Sequence, residues 1–189
     1  MQKNNQADLQ ASGAVIESQI QFRHPLLKDG LALYDLVKAC PPLDVNSSYL
    51  YFLQASHFAQ SCMVAELEGE IVGFVSGYRR PDAIEDLFIW QVAVSEKARG
   101  QGLAKRMIDQ LLKAQLKNEM PLSAISCTIG PSNLASQGLF KSLAKQHGLN
   151  MKVSPFIEAE QFGNEQHEAE ETYTLTAANN QLLNKYLTF

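Results

Sequence analysis

The run from Arg99 to Ala104, Arg-Gly-Gln-Gly-Leu-Ala, combines a cation and two glycines with the start of a helical pattern. Apolar positions then recur at helical spacing, at Leu103, Met107, Ile108, Leu111, Leu112 and Leu116. The first N–H groups of a helix have no partner within the helix, and the helix dipole adds partial positive charge there. Because Gly100 and Gly102 carry no Cβ, a phosphate can approach their backbone closely. The turn is therefore suited to a pyrophosphate, with Arg99 and Lys105 as additional cations.

Three interpretations of this run remain once a P-loop is excluded. On the glycines alone, a helix start without any ligand is the simplest interpretation. A dinucleotide-binding turn is disfavoured because Lys105 stands where the third glycine belongs, and because the run follows a predicted hairpin late in the chain. A P-loop is excluded because no Gly-Lys-Ser/Thr follows the glycines. A turn that holds coenzyme A is the third interpretation.

The elements around the turn must place it at the end of a central strand. Leu87–Val94 is nearly unbroken apolar sequence, rich in β-branched and aromatic residues, which is typical of a strand buried on both faces. Ser61–Leu67 and Glu70–Tyr78 flank the pair Glu68-Gly69, which predicts a hairpin. Arg79-Arg80-Pro81-Asp82 then predicts a turn into the central strand.

The remainder of the chain predicts further strands and helices in one domain, residues 16–177. The expected elements are a strand at Ile16–Arg23, helices over Leu26–Val37 and from Ser48 to about Gln60, a strand at Leu122–Ile129, a helix that follows Asn133 and ends near Gly148, and strands at Met151–Ile157 and Ala169–Leu175. Residues 1–15 are polar and are expected to form a disordered lead-in. Residues 178–189 form a short tail that docks on the domain or on a neighbouring subunit.

Composition excludes several classes of protein. With 189 residues, 46% of them hydrophobic, the chain can bury a sizeable core. The formal net charge of −4 argues against general nucleic-acid binding. Cys40, Cys62 and Cys127 lie in apolar segments without a metal-ligand spacing, so they are expected to be reduced core thiols in a cytoplasmic protein, with no bound metal. No apolar run suits a membrane span, and no signal peptide is expected.

The glycine turn resembles one superfamily closely. Arg99–Ala104 matches, position for position, the Arg/Gln-x-x-Gly-x-Gly/Ala signature of the GNAT N-acetyltransferases, in the same strand–loop–helix setting. The resemblance covers about Ile20 to Leu175 and implies an α/β fold. Its central mixed, mostly antiparallel sheet is flanked by helices and has a splayed central strand and a pyrophosphate-binding loop. It implies acetyl-CoA as co-substrate, bound by Val92, Ala93, Val94, Arg99, Gly100, Gln101, Gly102, Leu103, Ala104, Asn133 and Phe140.

A finer resemblance concerns the L-2,4-diaminobutyrate acetyltransferases of ectoine biosynthesis. The segments that resemble this family are Val37–Asp44, Gly73–Tyr78, Phe88–Val94 and His167–Glu170. The resemblance implies transfer of an acetyl group to the γ-amine of diaminobutyrate, in a ternary complex, for osmoadaptation. It also implies a homodimer.

The reaction requires a proton acceptor for the attacking amine, since an alkylammonium is almost fully protonated near neutral pH. Glu170 is the first choice for that role. The thiolate that leaves needs a proton, and Phe140 stands where the superfamily usually has a tyrosine. Water, Tyr49 or Tyr78 remains as the donor. Helix N-capping is an alternative role for Asn133.

The substrate has two ammonium groups and one carboxylate, so acceptors for cations are required. Asp44 and Glu170 are the acceptors that the resemblance favours. Trp90 could pack against the aliphatic chain or contact an ammonium. His167 and Tyr49 are further lining groups. Each has a simpler interpretation: Trp90 as core, Glu170 and His167 as surface residues, Asp44 as a cap.

Two other functions compete with this interpretation. A GNAT-fold enzyme could acetylate peptide or protein amines, which needs an open acceptor groove. A non-catalytic acyl-CoA-binding module needs no acceptor site at all. Neither is excluded by the residues alone.

Overall fold

The computed structural model describes residues 20–117, 120–163, 167–179 and 181–189. Its strands are β1 (Gln21–Arg23), β2 (Met63–Leu67), β3 (Glu70–Arg80), β4 (Ala83–Val94), β5 (Ala124–Ile129), β6 (Leu149–Ile157) and β7 (Glu170–Ala177). Its α-helices are α1 (Gly30–Lys38), α2 (Ser48–Gln54), α3 (Leu103–Lys117), α4 (Leu134–His147) and α5 (Leu183–Tyr186). The predicted lead-in, 1–15, and the first part of the predicted strand at Ile16–Arg23 lie outside the described residues.

The strands form one seven-stranded sheet in the order β1-β2-β3-β4-β5-β7-β6. β4 pairs with β5 in parallel, whereas β1 with β2, β2 with β3, β5 with β7 and β6 with β7 are antiparallel. The predicted mixed, mostly antiparallel sheet with flanking helices is therefore confirmed. The register of β4 with β5 covers Asp86 to Phe88 and ends there, although β4 continues to Val94.

The chain divides into two compact units. The first contains the described residues up to 76 together with 91–111. Its core cluster includes Leu33, Leu36, Val37, Tyr51, Val64, Phe74 and Ala93. The second contains 77–90 and the described residues from 112 onward. Its fully or almost fully buried side chains include Leu87, Leu122, Ile125, Leu143, Tyr173 and Leu175.

Several elements differ from the sequence prediction in their bounds, including the following three. The helix from Ser48 ends at Gln54 instead of Gln60, and the Ser56 hydroxyl donates to the Phe52 carbonyl at 2.6 Å, a side-chain bond that competes with helical bonding. Arg79 and Arg80 belong to β3 instead of the turn. The central strand begins at Ala83 instead of Leu87.

The predicted hairpin between β2 and β3 is confirmed. Glu68 and Gly69 form its two-residue turn, with φ of 52° and 83°. Such turns require positive φ at both central residues, which glycine adopts without steric cost.

The C-terminal residues pack against the second unit. The Leu183 N–H donates to the Leu122 carbonyl at 2.6 Å, and Asn184 Oδ1 accepts from the Leu122 N–H at 2.6 Å. The Tyr186 hydroxyl donates to the Gly148 carbonyl at 2.7 Å. Leu183 is fully buried. The tail thus docks on its own chain.

A buried ion pair in the first unit yields a prediction about stability. Asp29, whose side chain is 8% exposed, accepts from Arg23 Nη1 at 2.6 Å and from the Leu26 N–H at 2.7 Å. Burial on its own raises the pKa of Asp29, but these bonds outweigh it, so the pKa lies below its ordinary value. Replacing Asp29 by asparagine should lower the free energy of unfolding by about 2 kcal/mol at neutral pH.

The sign of the pH dependence follows from the lowered pKa. The Asp29 carboxylate stabilises the fold above the pKa of the unfolded state, and this contribution is lost as the pH falls through the folded-state pKa. Urea unfolding of the wild type and Asp29→Asn should therefore give free energies that converge as the pH falls from neutral to below the ordinary pKa of an aspartate. A difference that stays constant over that range contradicts the prediction.

Candidate active site

The glycine turn has a backbone that only glycine adopts readily. Gly100 and Gly102 have φ of 77° and 66°. A Cβ on either residue would meet no atom within 4 Å, so it is the backbone conformation and not a neighbouring protein group that requires glycine. The space beside both residues is open.

The N–H groups of this turn have no acceptor among the described residues. The first bond of α3 runs from the Arg106 N–H to the Gly102 carbonyl at 3.1 Å. None of the hydrogen bonds within the described part of the chain uses the N–H of Gly100, Gln101, Gly102, Leu103, Ala104 or Lys105. A row of backbone donors at a helix N-terminus is a site for an anion. This arrangement is what the glycine signature predicts.

The Arg99 side chain next to the turn is held by the end of β4. Arg99 Nε donates to the Val94 carbonyl at 3.1 Å, and the Cys40 thiol donates to the same carbonyl at 3.3 Å. Both lone pairs of the Val94 carbonyl are therefore in use. A ligand that pairs with this end of β4 must use other main-chain groups of Val92, Ala93 and Val94. The Gln101 Oε1 is buried and has no hydrogen-bond partner among the described residues.

The first unit also contains Asp44 and Tyr49. Asp44 is exposed in the linker between α1 and α2, and its main-chain carbonyl accepts from Gln91 Nε2 at 2.7 Å. Tyr49 lies in the first turn of α2 and is 69% exposed. The structure thus connects Asp44 to β4 through a buried glutamine that the sequence did not single out.

Trp90 lies on the surface of the second unit. It is 45% exposed, so the interpretation of Trp90 as a core residue is wrong. Its ring packs edge-on against Tyr78, with 6.3 Å between centroids, and Tyr78 packs against Phe88 at 5.2 Å. An exposed aromatic face of this kind can wall an aliphatic chain or contact a cation.

Glu170 lies on the same face of the sheet as Trp90. It is the first residue of β7 and is half-buried. Phe88 is opposite Ser126 and Ser126 is opposite Thr174, so these side chains share a face. Alternation then adds Trp90 along β4 and Glu170 along β7 to that face. Within the second unit, the structure thus places these two predicted residues on one face of the sheet.

The negative charge of Glu170 contributes to the raised pKa of the Cys127 thiol. Burial raises the pKa of Cys127, and the negative charges of Glu170 and Asp86 raise it further. Cys40, Cys62 and Cys127 are buried thiols that form no disulfide, as the sequence predicts.

His167 and Glu168 hold the segment before β7. His167 Nδ1 donates to the Glu168 carbonyl at 2.7 Å, and its ring stacks on Phe162 with 4.0 Å between centroids. The Glu168 carboxylate accepts from the Ser132 hydroxyl at 2.7 Å and from the Ser132 N–H at 3.1 Å. A Cβ on Gly130 would lie 2.1 Å from Glu168 Oε1, so the carboxylate needs a glycine there. Glu168 was missed by the sequence analysis.

Asn133 and Phe140 have structural roles of their own. Asn133 is the N-cap of α4, where its Oδ1 accepts from the Ser136 N–H at 3.0 Å, so its predicted capping role is confirmed. Phe140 is 2% exposed. Contact of either side chain with a pantetheine arm stays a prediction.

Two kinds of feature are absent from the described residues. Within residues 20–117, 120–163, 167–179 and 181–189, no three or more His, Cys, Asp or Glu side chains are grouped so that they could hold a metal ion. None of the helices in those ranges has the length and apolar character needed to cross a membrane.

Residues 31–144 match the model of the acetyltransferase (GNAT) family. The chain is 43% identical over 154 residues to an L-2,4-diaminobutyric acid acetyltransferase of Vibrio parahaemolyticus, a match that covers 82% of this chain and 84% of the relative. It is 47% identical over 145 residues to the enzyme of the same name from Chromohalobacter salexigens, covering 76% and 74%.

Solved structures of other proteins share the fold of this chain. The structure is similar, with a TM-score of 0.77 and 38% identity, to a diaminobutyrate acetyltransferase from Paenibacillus lautus in complex with L-2,4-diaminobutyric acid and coenzyme A. The match covers 83% of this chain and 94% of that one. Ard1 from Thermoplasma volcanium, 16% identical with a TM-score of 0.67, shares the fold alone.

Proposed function

The chain belongs to the GNAT acetyltransferase family, and from that membership we propose that it transfers the acetyl group of acetyl-CoA to the γ-amine of L-2,4-diaminobutyrate, giving N4-acetyl-L-2,4-diaminobutyrate. The amine attacks the thioester carbon directly in a ternary complex. The C–S bond breaks, and coenzyme A leaves as the thiol.

The row of backbone donors from Gly100 to Lys105 is the observation that carries this proposal. These donors, at the N-terminus of α3, suit the diphosphate of coenzyme A. Binding the diphosphate there directs the pantetheine arm toward the end of β4, where a backbone N–H near Val92 would stabilise the oxyanion of the tetrahedral intermediate.

The acceptor amine requires carboxylates and an apolar wall. In the proposal Glu170 takes the proton of the attacking ammonium, and Asp44 binds the other ammonium. Trp90 packs against the aliphatic chain of the substrate, and the exposure of its ring supports this role. His167 is a further lining group.

The leaving thiolate needs a proton, and Phe140 cannot supply one. We assign that role to Tyr49, whose side chain is largely exposed on α2. A tyrosine hydroxyl can donate a proton to an alkyl thiolate.

The setting of the enzyme is part of the same proposal. The acetylated diamine is an intermediate of ectoine biosynthesis, so the enzyme serves osmoadaptation. Three buried thiols that form no disulfide suit a reducing compartment, the cytoplasm. We propose a homodimer, which light scattering on a size-exclusion column tests directly.

The test is the product of the reaction. The purified protein is incubated with acetyl-CoA and, in separate reactions, diaminobutyrate, ornithine, lysine and a short peptide. Mass spectrometry should find monoacetylated diaminobutyrate as the main product, and fragmentation should place the acetyl group on the γ-nitrogen. Preferential acetylation of the peptide, or binding of acetyl-CoA without turnover of any amine, overturns the proposal.

A further inference from the structure

Gln91 is a polar residue buried in an apolar strand. It is 6% exposed and stands in β4 between Trp90 and Val92. Burial of an amide is unfavourable unless both its donor and its acceptor find partners. The partners of Gln91 therefore indicate its role.

The Gln91 amide binds the linker that carries Asp44. Its Nε2 donates to the Asp44 main-chain carbonyl at 2.7 Å, a short and direct bond. Its Oε1 accepts from the hydroxyl of Tyr51, which is fully buried, at 3.5 Å. That hydroxyl also accepts from the Asn46 N–H at 3.3 Å. Two residues of the linker, Asp44 and Asn46, are thus attached to one buried network.

The main chain of Gln91 is also held in place within the sheet. The Gln91 N–H donates to the Ser76 hydroxyl at 3.1 Å, and Ser76 is fully buried in β3. The position of Gln91 is therefore set by the sheet, and the linker follows it.

We propose that Gln91 is a positioning residue for substrate specificity: it fixes the main chain at Asp44 so that this carboxylate meets the distal ammonium of a short diamine. The main chain of a turn-rich linker samples several positions unless it is held. Holding it at one distance from the reacting amine selects the chain length of the substrate, because a longer diamine would place its second ammonium elsewhere. This inference rests on the proposed function, which assigns Asp44 to the substrate.

The first experiment replaces Gln91 by methionine, which has a similar length and no hydrogen-bonding amide. The KM for diaminobutyrate should rise about tenfold, because an Asp44 main chain that is no longer held places the carboxylate in the binding position only part of the time, while the KM for acetyl-CoA stays within about twofold. The preference for diaminobutyrate over ornithine should fall by a similar factor. Gln91→Asn, which keeps an amide that is too short to reach the Asp44 carbonyl, should behave in the same way and serves if the methionine variant does not fold.

Gln54 offers a matched control. It is 2% exposed, like Gln91 a buried glutamine, and neither atom of its amide has a partner among the described residues. Gln54→Met therefore removes a buried amide without breaking a hydrogen bond of the described residues. The KM for diaminobutyrate should not change in this variant.

A double-mutant cycle separates positioning from a general effect on folding. If Gln91 acts through Asp44, adding Gln91→Met to Asp44→Asn should change the KM for diaminobutyrate by less than about twofold, although Gln91→Met alone changes it about tenfold. Additive effects, or equal increases in both KM values, overturn the inference. A wild-type enzyme that does not acetylate diaminobutyrate refutes the proposed function instead, so the two failures are distinguishable.

Discussion

Replacing Gly102 by alanine should raise the Kd for coenzyme A about a hundredfold, a loss of about 2.7 kcal/mol of binding free energy. The added methyl group enters the open space beside the turn, which the proposal gives to the diphosphate. The positive φ of 66° also becomes strained, so the turn relaxes away from the geometry that aligns its N–H groups. Isothermal titration calorimetry with coenzyme A measures the change.

Gly69 provides the control for backbone strain. It has a φ of 83° and, like Gly102, no atom within 4 Å of the place that an added methyl carbon would occupy, but it belongs to the hairpin turn of β2 and β3. Gly69→Ala should lower the free energy of unfolding by about 1 kcal/mol, as Gly102→Ala should, and leave the affinity for coenzyme A unchanged. An unchanged affinity in Gly102→Ala contradicts the assignment of the turn.

Replacing Glu170 by glutamine should lower kcat by about a hundredfold to a thousandfold, within the range that general base catalysis contributes. The substitution keeps the shape of the side chain but removes its negative charge and its ability to accept a proton. In the wild type, activity falls as the pH falls through the pKa of the base, because the protonated form is inactive. The limb that the carboxylate causes should be absent from the profile of Glu170→Gln, whose rate should follow the neutral fraction of the amine instead, and steady-state rates over a range of pH measure the difference.

Glu171 is the matched control for this variant. It is the next residue of β7 and so points to the opposite face, where its carboxylate accepts from the Tyr173 hydroxyl at 3.4 Å. Glu171→Gln should keep the rate and the pH profile of the wild type. Full turnover with an unchanged profile in Glu170→Gln would remove Glu170 from its role as proton acceptor.

Local signals in the sequence were sufficient for the turn and its helix. The helix beginning at Leu103 and the end of α4 at Gly148, which has a φ of 62°, are both as predicted. Glycine, capping residues and a helical repeat act over a few neighbouring residues, so a single sequence contains them.

The start of β4 could not be predicted in this way. Asp86 is charged, yet it is 6% exposed in the strand. The Ser126 hydroxyl lies within 2.9 Å of one of its carboxylate oxygens, and Arg80 Nη1 lies 3.3 Å from the other. Burial of this carboxylate depends on a partner forty residues away, which no local pattern reveals.

Separation along the sequence also explains which residues of the candidate site the sequence analysis missed. Gln91 and Glu168 have partners 47 and 36 residues away, and each stands in sequence that offers no sign of them. From composition alone, Trp90 was as consistent with the core as with a pocket. In the structure it is exposed and packs against Tyr78, which in turn packs against Phe88. Resemblance to a family identified Trp90 and Glu170, and the register of the sheet then placed both on one face.

The burial of Cys40, Cys62 and Cys127 has a practical consequence for kinetics. Chromogenic disulfide reagents follow acetyl transfer continuously by reacting with the coenzyme A that is released, and reactive protein cysteines contribute a background signal. Such reagents require an accessible thiolate, whereas all three side chains are enclosed and the raised pKa of Cys127 keeps it protonated. The acetyl transfer of the native enzyme can therefore be measured continuously without a background from its own cysteines. A slow rise in colour in the absence of substrate would report unfolding.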